Sequence, residues 1–122
     1  MQIFKICPYS EWAEAQKENI YRGSAADNRD GFIHLSTSAQ LATTLTRHFP
    51  NETGLMLIAI ESDRLGDALK WEEDSAGNSY PHLYGNLPFS AVTWTSTVPL
   101  KSPGVYKLPP RAFATTPSPV RN

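Results

Sequence analysis

The sequence predicts a small α+β domain with about six short strands in a split or mixed β-sheet and about two helices. Three patterns indicate this class. Alternating apolar residues mark short strands, an apolar repeat every fourth residue marks a helix around residue 45, and a continuous apolar run marks a buried strand at 55–60. No internal repeat is present.

The composition is that of one globular domain, since the 122 residues are 40% hydrophobic and 19% charged. No segment approaches the roughly 18 apolar residues of a membrane-spanning helix, and the N-terminus lacks the pattern of a signal peptide. Cys7 is the single cysteine and cannot form an internal disulfide. We therefore expect a cytoplasmic monomer without membrane partners.

Charge is unevenly distributed along the chain. Residues 1–100 hold 7 Lys+Arg and 12 Asp+Glu, giving −5, whereas residues 101–122 hold four basic residues, no acid and half of the ten prolines. We predict a globular domain over 1–100 and a Pro-rich basic tail over 101–122. The acidic body argues against a nucleic-acid surface. The tail either reaches a phosphate-bearing partner or lies extended and solvated over the body.

The first part of the chain alternates strand and helix signals. Ile3–Cys7 alternates as a strand, and Ser10 is placed to cap a helix over 11–19. A short extended piece at 21–24 and a polar loop at 25–30 follow.

A polar strand and a helix start come next. Residues 32–36 read as a strand with Phe32, His34 and Ser36 on one face. Thr37 and Gln40 then match a capping box. Leu41, Leu45 and Phe49 form the buried stripe of the helix that follows, and Pro50 ends it.

The second half begins with the apolar run 55–60, which predicts a central strand buried on both faces. A helical turn within 62–69, a short strand at 70–72, a loop at 74–79 and a strand at 92–95 complete the prediction.

Two short groups of polar residues, each among apolar neighbours, form the candidate site. His34 and Ser36 lie at the end of one strand, and His82 and Tyr84 lie in a predicted loop, two residues apart and facing the same side. Histidine exchanges protons near neutral pH, and a tyrosine ring stacks on planar ligands. Alternatively, His34 bonds a backbone carbonyl, and the second pair packs on the core.

Two further interpretations concern the neighbouring residues. Glu72 supplies an acid or belongs to a solvated acidic loop, and Thr37 caps the helix or contacts a ligand. The three histidines would suffice for an open zinc site, but they lack paired spacing and His48 suits its helix end. We therefore predict no metal and keep a metal-dependent hydrolase as an alternative.

Over about residues 2–100, the motifs of this chain resemble those of a family of bacterial proteins known as domain of unknown function 952. The resemblance is carried by the blocks Trp12, Tyr21-x-Gly23-Ser24, Asp27, Asp30-Gly31-Phe32-Ile33-His34-Leu35-Ser36-Thr37, Gln40, Thr44, His48-Phe49, Leu69-x-Trp71-Glu72 and Pro81-His82-Leu83-Tyr84-Gly85-x-Leu87.

Members of this family have been grouped by fold with ADP-ribosyltransferases, which clamp NAD in a split sheet. The resemblance implies an ADP-ribosyltransferase-like fold and NAD as a candidate substrate, with no firm cofactor. It implies catalytic roles for His34 and Glu72 and ligand-binding roles for Tyr21, Arg22, Ser24 and Ser36. From the residues themselves we add His82 as a catalytic candidate and Thr37, Arg47 and Tyr84 as ligand-binding candidates.

The function expected from this resemblance is nucleotide binding in a His/Ser/Tyr-lined cleft, with NAD-dependent transfer of an ADP-ribosyl or phosphate group. The alternative is a non-catalytic ligand-binding module of the same fold.

Overall fold

The computed structural model describes residues 1–114. Its strands are β1 (Gln2–Pro8), β2 (Ile20–Tyr21), β3 (Ile33–His34), β4 (Leu55–Glu61), β5 (Leu69–Glu73), β6 (Ser79–Leu83), β7 (Leu87–Pro88), β8 (Val92–Val98), β9 (Leu100–Ser102) and β10 (Val105–Tyr106). Its helices are α1 (Tyr9–Glu18), α2 (Ala25–Asp30) and α3 (Leu41–His48). The fold is therefore α+β, with three helices where two were predicted. None of the helices in residues 1–114 has the length and hydrophobicity needed to cross a bilayer.

Two three-stranded antiparallel sheets form the frame. One has the order β1-β4-β8 and the other the order β3-β6-β5, while β2-β7 and β9-β10 are two-stranded pairs. An isolated β-bridge between Phe4 and Ser36, with backbone hydrogen bonds of 2.8 and 2.9 Å, joins β1 to the segment that follows β3. This bridge places the edge strand β3, which carries His34, beside β1.

The central strand β4 is buried on both faces, as its apolar run predicted. Alternate residues enter two separate cores. Ile58 packs in the core shared with α1 and the β3-β6-β5 sheet, and Leu57 packs in the core shared with α3.

Helix α3 follows a capping box, as predicted, and the amide of Thr37 donates to Oε1 of Gln40 at 3.0 Å. The box first opens a short 3₁₀ turn, Ser38–Gln40, which continues into α3. Leu41 and Leu45 are buried, as predicted, whereas Phe49, the third residue of the predicted stripe, is the C-cap of α3 and is only partly buried.

Three local predictions were wrong. Ser10 does not cap α1, because the helix begins at Tyr9, two residues before the predicted start, and Pro8 occupies the N-cap. Residues 25–30 form α2 instead of a loop, since Ser24 and Asp27 make a capping box. The block around His82 is a strand, β6, at the centre of its sheet.

The segment after residue 100 packs on the body where an extended, solvated tail was expected. Ala112 is fully buried among α3 and the β1-β4-β8 sheet, and its carbonyl accepts from Oγ of Ser38 at 2.6 Å. Arg111 stacks on Trp94 with its guanidinium 4.6 Å from the ring. Residues 115–122 of the predicted tail lie outside the described residues.

Candidate functional site

A buried aspartate, Asp27, is the centre of the candidate site. The capping box of α2 sets its position, because Oδ2 of Asp27 accepts from the amide of Ser24 at 2.9 Å while the amide of Asp27 donates to Oγ of Ser24 at 3.0 Å. Only 2% of Asp27 is exposed. The first turn of α2 therefore directs a carboxylate inward.

Lys5 of β1 supplies the opposite charge. Its Nζ donates to Oδ2 of Asp27 at 2.7 Å and to the carbonyl of His34 at 3.2 Å. Both charged side chains are buried, and a buried charge is tolerated only when it is paired and hydrogen-bonded. The pair ties β1 to α2 and β3.

His34 is held by the other oxygen of the same carboxylate. Oδ1 of Asp27 accepts from the amide of His34 at 3.1 Å and from its Nδ1 at 2.6 Å. A carboxylate only accepts, so Nδ1 carries a hydrogen and Nε2 is the remaining ring nitrogen. Nε2 lies 3.0 Å from Oδ2 of Asp30. The alternative in which the His34 ring bonds a backbone carbonyl was wrong, because its partners are carboxylates.

Asp27 carries a permanent negative charge at neutral pH. Burial raises its pKa, but the hydrogen bond from His34 and the charge and hydrogen bond of Lys5 outweigh burial. The net result is a pKa well below the ordinary range of aspartate. The His34 ring therefore rests on a fixed anion.

A second histidine–carboxylate pair lies beside the first. Nδ1 of His82 donates to Oε1 of Glu72 at 2.7 Å, and the hydroxyl of Tyr84 donates to the same oxygen at 2.7 Å. The bonds from His82 and Tyr84 lower the pKa of Glu72, and the bond to Glu72 raises the pKa of Tyr84. Glu72 thus fixes the His82 ring as Asp27 fixes His34.

The two histidines converge because of strand register. His34 of β3 is directly paired with His82 of β6, and their side chains share one face. Their ring centroids are 5.8 Å apart. Phe32 stacks on His82 with centroids 3.9 Å apart and an interplanar angle of 24°. Both imidazoles are therefore held by a carboxylate and an aromatic neighbour.

A cleft of about 560 Å³ opens beside this pair. Both three-stranded sheets, α2 and α3 contribute to its wall. The polar side chains that line the cleft include those of Lys5, Glu11, Ser24, Asp27, Arg29, Asp30, His34, Ser36, Thr44, Arg47, His48, Glu52, Asp74, Tyr80 and His82. Oγ of Ser36 and Oγ1 of Thr44 are 2.7 Å apart on this wall.

The structure brings together five of the ten site residues proposed from the sequence. Ser24, His34, Ser36, Arg47 and His82 line the cleft. Glu72 and Tyr84 do not line it, but they hold His82.

Three proposed ligand contacts lie elsewhere. Tyr21 is buried and donates to Oε1 of Glu11 at 2.6 Å, and burial together with this bond raises its pKa. Arg22 is exposed and pairs with Glu18 at 2.9 Å. Thr37 is the N-cap of the 3₁₀ turn Ser38–Gln40 that precedes α3.

Sequence reasoning did not assign Lys5, Asp27, Asp30 or Tyr80 to the site. A lysine inside the apolar strand Ile3–Cys7 was a usable signal, because a buried lysine requires an anionic partner. The Ser-x-x-Asp spacing from Ser24 to Asp27 was a second signal, since it is typical of a capped helix start.

Cys7 lines the cleft, but its thiol is expected to be unreactive. Burial, followed by the charge of Glu11, raises the pKa of its thiol to about 12. We expect Cys7 of the folded protein to react with a thiol-specific disulfide reagent at pH 8 at least ~100-fold more slowly than in urea-unfolded protein. Equal rates would contradict the proposed burial of the thiol, and absorbance of the released reagent measures both.

The zinc arrangement considered from the sequence is not formed in the part of the chain that the structure describes. Within residues 1–114, no group of three His, Cys, Asp or Glu side chains is placed to hold a metal ion.

Solved structures of one protein from Caulobacter crescentus, CC0527, are similar to this chain. Its crystal structure is 38% identical, with a TM-score of 0.88 over 93% of this chain and 100% of that one. A double mutant of CC0527 gives 37% identity, a TM-score of 0.88 and the same coverage. Its solution structure is 40% identical, with a TM-score of 0.74 over 83% of this chain and 87% of that one.

No curated protein matches the chain. The family model described as "Protein of unknown function (DUF952)" matches residues 6–95, which include both histidine–carboxylate pairs. The chain therefore belongs to the DUF952 family.

Proposed function

We propose that the cleft binds a nucleotide or a closely related phosphorylated small molecule, and that His34 and His82 exchange protons with it. The observation that carries the proposal is the geometry of the two rings. Each donates through Nδ1 to a carboxylate, and the rings are 5.8 Å apart beside one cleft. Within residues 1–114, Nε2 of His82 has no hydrogen-bond partner, and Nε2 of His34 lies 3.0 Å from Oδ2 of Asp30, which a ligand would displace. Positioned imidazoles of this kind are the usual general acids and bases of enzymes.

The remaining wall offers recognition groups for a nucleotide. Arg47 is exposed at the cleft and presents a guanidinium suited to phosphate. We propose that the hydroxyls of Ser36 and Thr44, which bond each other at 2.7 Å, also bond ribose or phosphate oxygens. The Tyr80 ring takes the stacking role first given to Tyr84. A volume of about 560 Å³ also suits a ligand of this size.

NAD is the nucleotide we propose first, with an ADP-ribosyltransferase-like fold. Two separate three-stranded sheets connected by the Phe4–Ser36 bridge support a split-sheet architecture of that kind. In such a reaction Glu72 would stabilise positive charge on the ribose. Its carboxylate bonds His82 and Tyr84 instead, so we propose that Glu72 positions His82.

The hydrogen bonds of Glu72 with His82 and Tyr84 favour a second candidate function, that of a non-catalytic binding module. Replacing either histidine by asparagine separates the candidates, because the asparagine amide retains a donor near the position of Nδ1 and removes Nε2. An enzyme loses turnover in these variants, whereas a binding module loses only affinity.

A titration of ¹⁵N-labelled protein with NAD, ADP-ribose and a 2′-phosphorylated nucleotide tests the proposal. We expect coherent shifts of amide and imidazole signals in both 31–38 and 80–85, because the register of β3 and β6 puts both blocks at one cleft. Absence of shifts in both blocks with all three ligands would overturn nucleotide binding.

Arginine variants sharpen this titration. We expect Arg47→Ala to raise the nucleotide Kd at least ~10-fold, because a phosphate loses a charge-assisted hydrogen bond. Arg64→Ala is the matched control, since Arg64 bonds the carbonyl of Ser90 away from the cleft. A larger loss in Arg22→Ala than in Arg47→Ala would reverse our assignment of the phosphate contact.

A further inference from the structure

We infer that the site hydrolyses a ribonucleoside 2′,3′-cyclic phosphate, with His82 as the general base and His34 as the general acid. The inference rests on the proposed function, since it requires a nucleotide in the cleft. It goes further by naming the substrate class, the bond broken and the role of each histidine. The reaction uses water and no second substrate.

The surroundings of the two rings divide their roles. The His34 ring lies between two carboxylates, with Nδ1 2.6 Å from Oδ1 of Asp27 and Nε2 3.0 Å from Oδ2 of Asp30. The contact of Nδ1 with Asp27 is a hydrogen bond, and Nε2 lies at ion-pair distance from Asp30. Because a carboxylate only accepts, a hydrogen on either nitrogen faces an oxygen suited to it. His34 is therefore arranged as a proton donor.

His82 has one carboxylate partner instead of two. Its Nδ1 donates to Glu72, and in residues 1–114 its Nε2 has no hydrogen-bond partner. An imidazole that donates through Nδ1 accepts through Nε2. His82 is therefore arranged as a proton acceptor.

Asp30 does not prevent His34 from donating its proton to a substrate. Oδ1 of Asp30 also accepts from Nε of Arg29 at 3.2 Å. When a substrate oxygen takes the hydrogen on Nε2 of His34, Asp30 keeps this ion pair. The His34 Nε2 contact is thus exchangeable, whereas the buried contact of Nδ1 with Asp27 is not.

The charge of the cleft selects the substrate class. Its wall holds five carboxylates, those of Glu11, Asp27, Asp30, Glu52 and Asp74, and three permanent cations, those of Lys5, Arg29 and Arg47. A triphosphate or a phosphomonoester brings two or more negative charges into this field, whereas a phosphodiester brings one. Because the wall is net negative, it opposes a monoanionic diester less than a more highly charged nucleotide.

The cations are suited to one phosphate group. Two of the three N–H groups of Lys5 are used, on Asp27 and the carbonyl of His34. Arg47 makes no ion pair within residues 1–114. The third Lys5 hydrogen and the Arg47 guanidinium supply donors for the two non-bridging oxygens of a diester.

The proposed step balances with water as the nucleophile. His82 takes a proton from water as the water oxygen forms a bond to phosphorus. The bond from phosphorus to the ribose 2′ oxygen breaks, and His34 gives its proton to that oxygen. The product is a nucleoside 3′-phosphate, and solvent returns a proton from His82 to His34.

The experiment incubates the full chain with 2′,3′-cyclic AMP and follows the nucleotides by ³¹P NMR, with EDTA present and NAD absent. We expect conversion to one monophosphate, the 3′ isomer. His34→Asn and His82→Asn should each lower kcat at least ~100-fold. Arg64→Ala should leave the rate unchanged.

The same samples are titrated with the cyclic nucleotide by ¹H–¹⁵N correlation, which reports folding and binding together. Shifts in 31–38 and 80–85 without turnover would overturn this inference and leave nucleotide binding standing. Turnover that persists in both histidine variants, or that EDTA abolishes, would also overturn it. Absence of both shifts and turnover would remove this inference, and the same absence with NAD, ADP-ribose and the 2′-phosphorylated nucleotide would remove nucleotide binding as well.

Discussion

Asp27→Ala is expected to lower the free energy of unfolding by about 3–5 kcal/mol, because it leaves the Lys5 ammonium buried without its partner. It also removes the acceptor for the His34 ring and its backbone amide. Urea denaturation followed by tryptophan fluorescence measures the change. A loss below about 1 kcal/mol would show that water or another group solvates Lys5 when Asp27 is absent.

Two controls separate charge burial from other effects. Asp30→Ala removes a more exposed aspartate of the same helix and is expected to cost about 0.5 kcal/mol or less. The double variant Lys5→Met with Asp27→Leu removes both charges. It should recover much of the stability lost by Asp27→Ala, since a buried ion pair is often replaceable by apolar residues of similar volume.

The pH dependence of stability gives an independent check on Asp27. Its pKa in the folded protein is below the ordinary value, so its stabilising contribution is fully present above about pH 4 and is lost as pH falls toward the folded pKa. We expect unfolding free energy to drop below about pH 4 in the wild-type protein. The drop should be shallower in Asp27→Asn, which cannot titrate at that position.

Local sequence patterns were sufficient for much of the frame. The spacing of apolar residues along the chain predicts which faces of an element are buried. It was therefore sufficient to predict the buried strand at 55–60 and the buried stripe of Leu41 and Leu45. Helix α2 was missed because six mostly polar residues carry no such stripe. Its start depends on reciprocal bonds between Ser24 and Asp27, which tertiary contacts of Asp27 reinforce.

The candidate site was only partly predictable. His34 and His82 were identified because each is a polar residue among apolar neighbours. Their meeting depends on the antiparallel register of β3 and β6, two strands separated by more than forty residues along the chain. The Lys5–Asp27 pair likewise joins distant elements, and a local pattern does not encode which lysine meets which aspartate.

Gly23→Ala is expected to cost about 2–4 kcal/mol, because Gly23 combines a positive φ of 99° with close packing against Asp27. A Cβ at this position would lie 2.9 Å from Cβ of Asp27 and 3.3 Å from Cγ1 of Ile33. Asp27 cannot move aside freely, since four hydrogen bonds hold its carboxylate. We therefore expect relief of the clash to weaken some of those hydrogen bonds.

Gly77→Ala is the matched control for this effect. Gly77 has a similar φ of 86°, but a Cβ there meets no atom within 4 Å. We expect this variant to lose only about 1 kcal/mol, the cost of the backbone conformation alone. Because the clash at Gly23 pushes on the carboxylate that orients His34, Gly23→Ala should also shift the imidazole signals of His34, and Gly77→Ala should not. Equal losses of stability and unchanged His34 signals in both variants would show that Asp27 relaxes away from the added methyl group and that the site is less rigid than its bonds indicate.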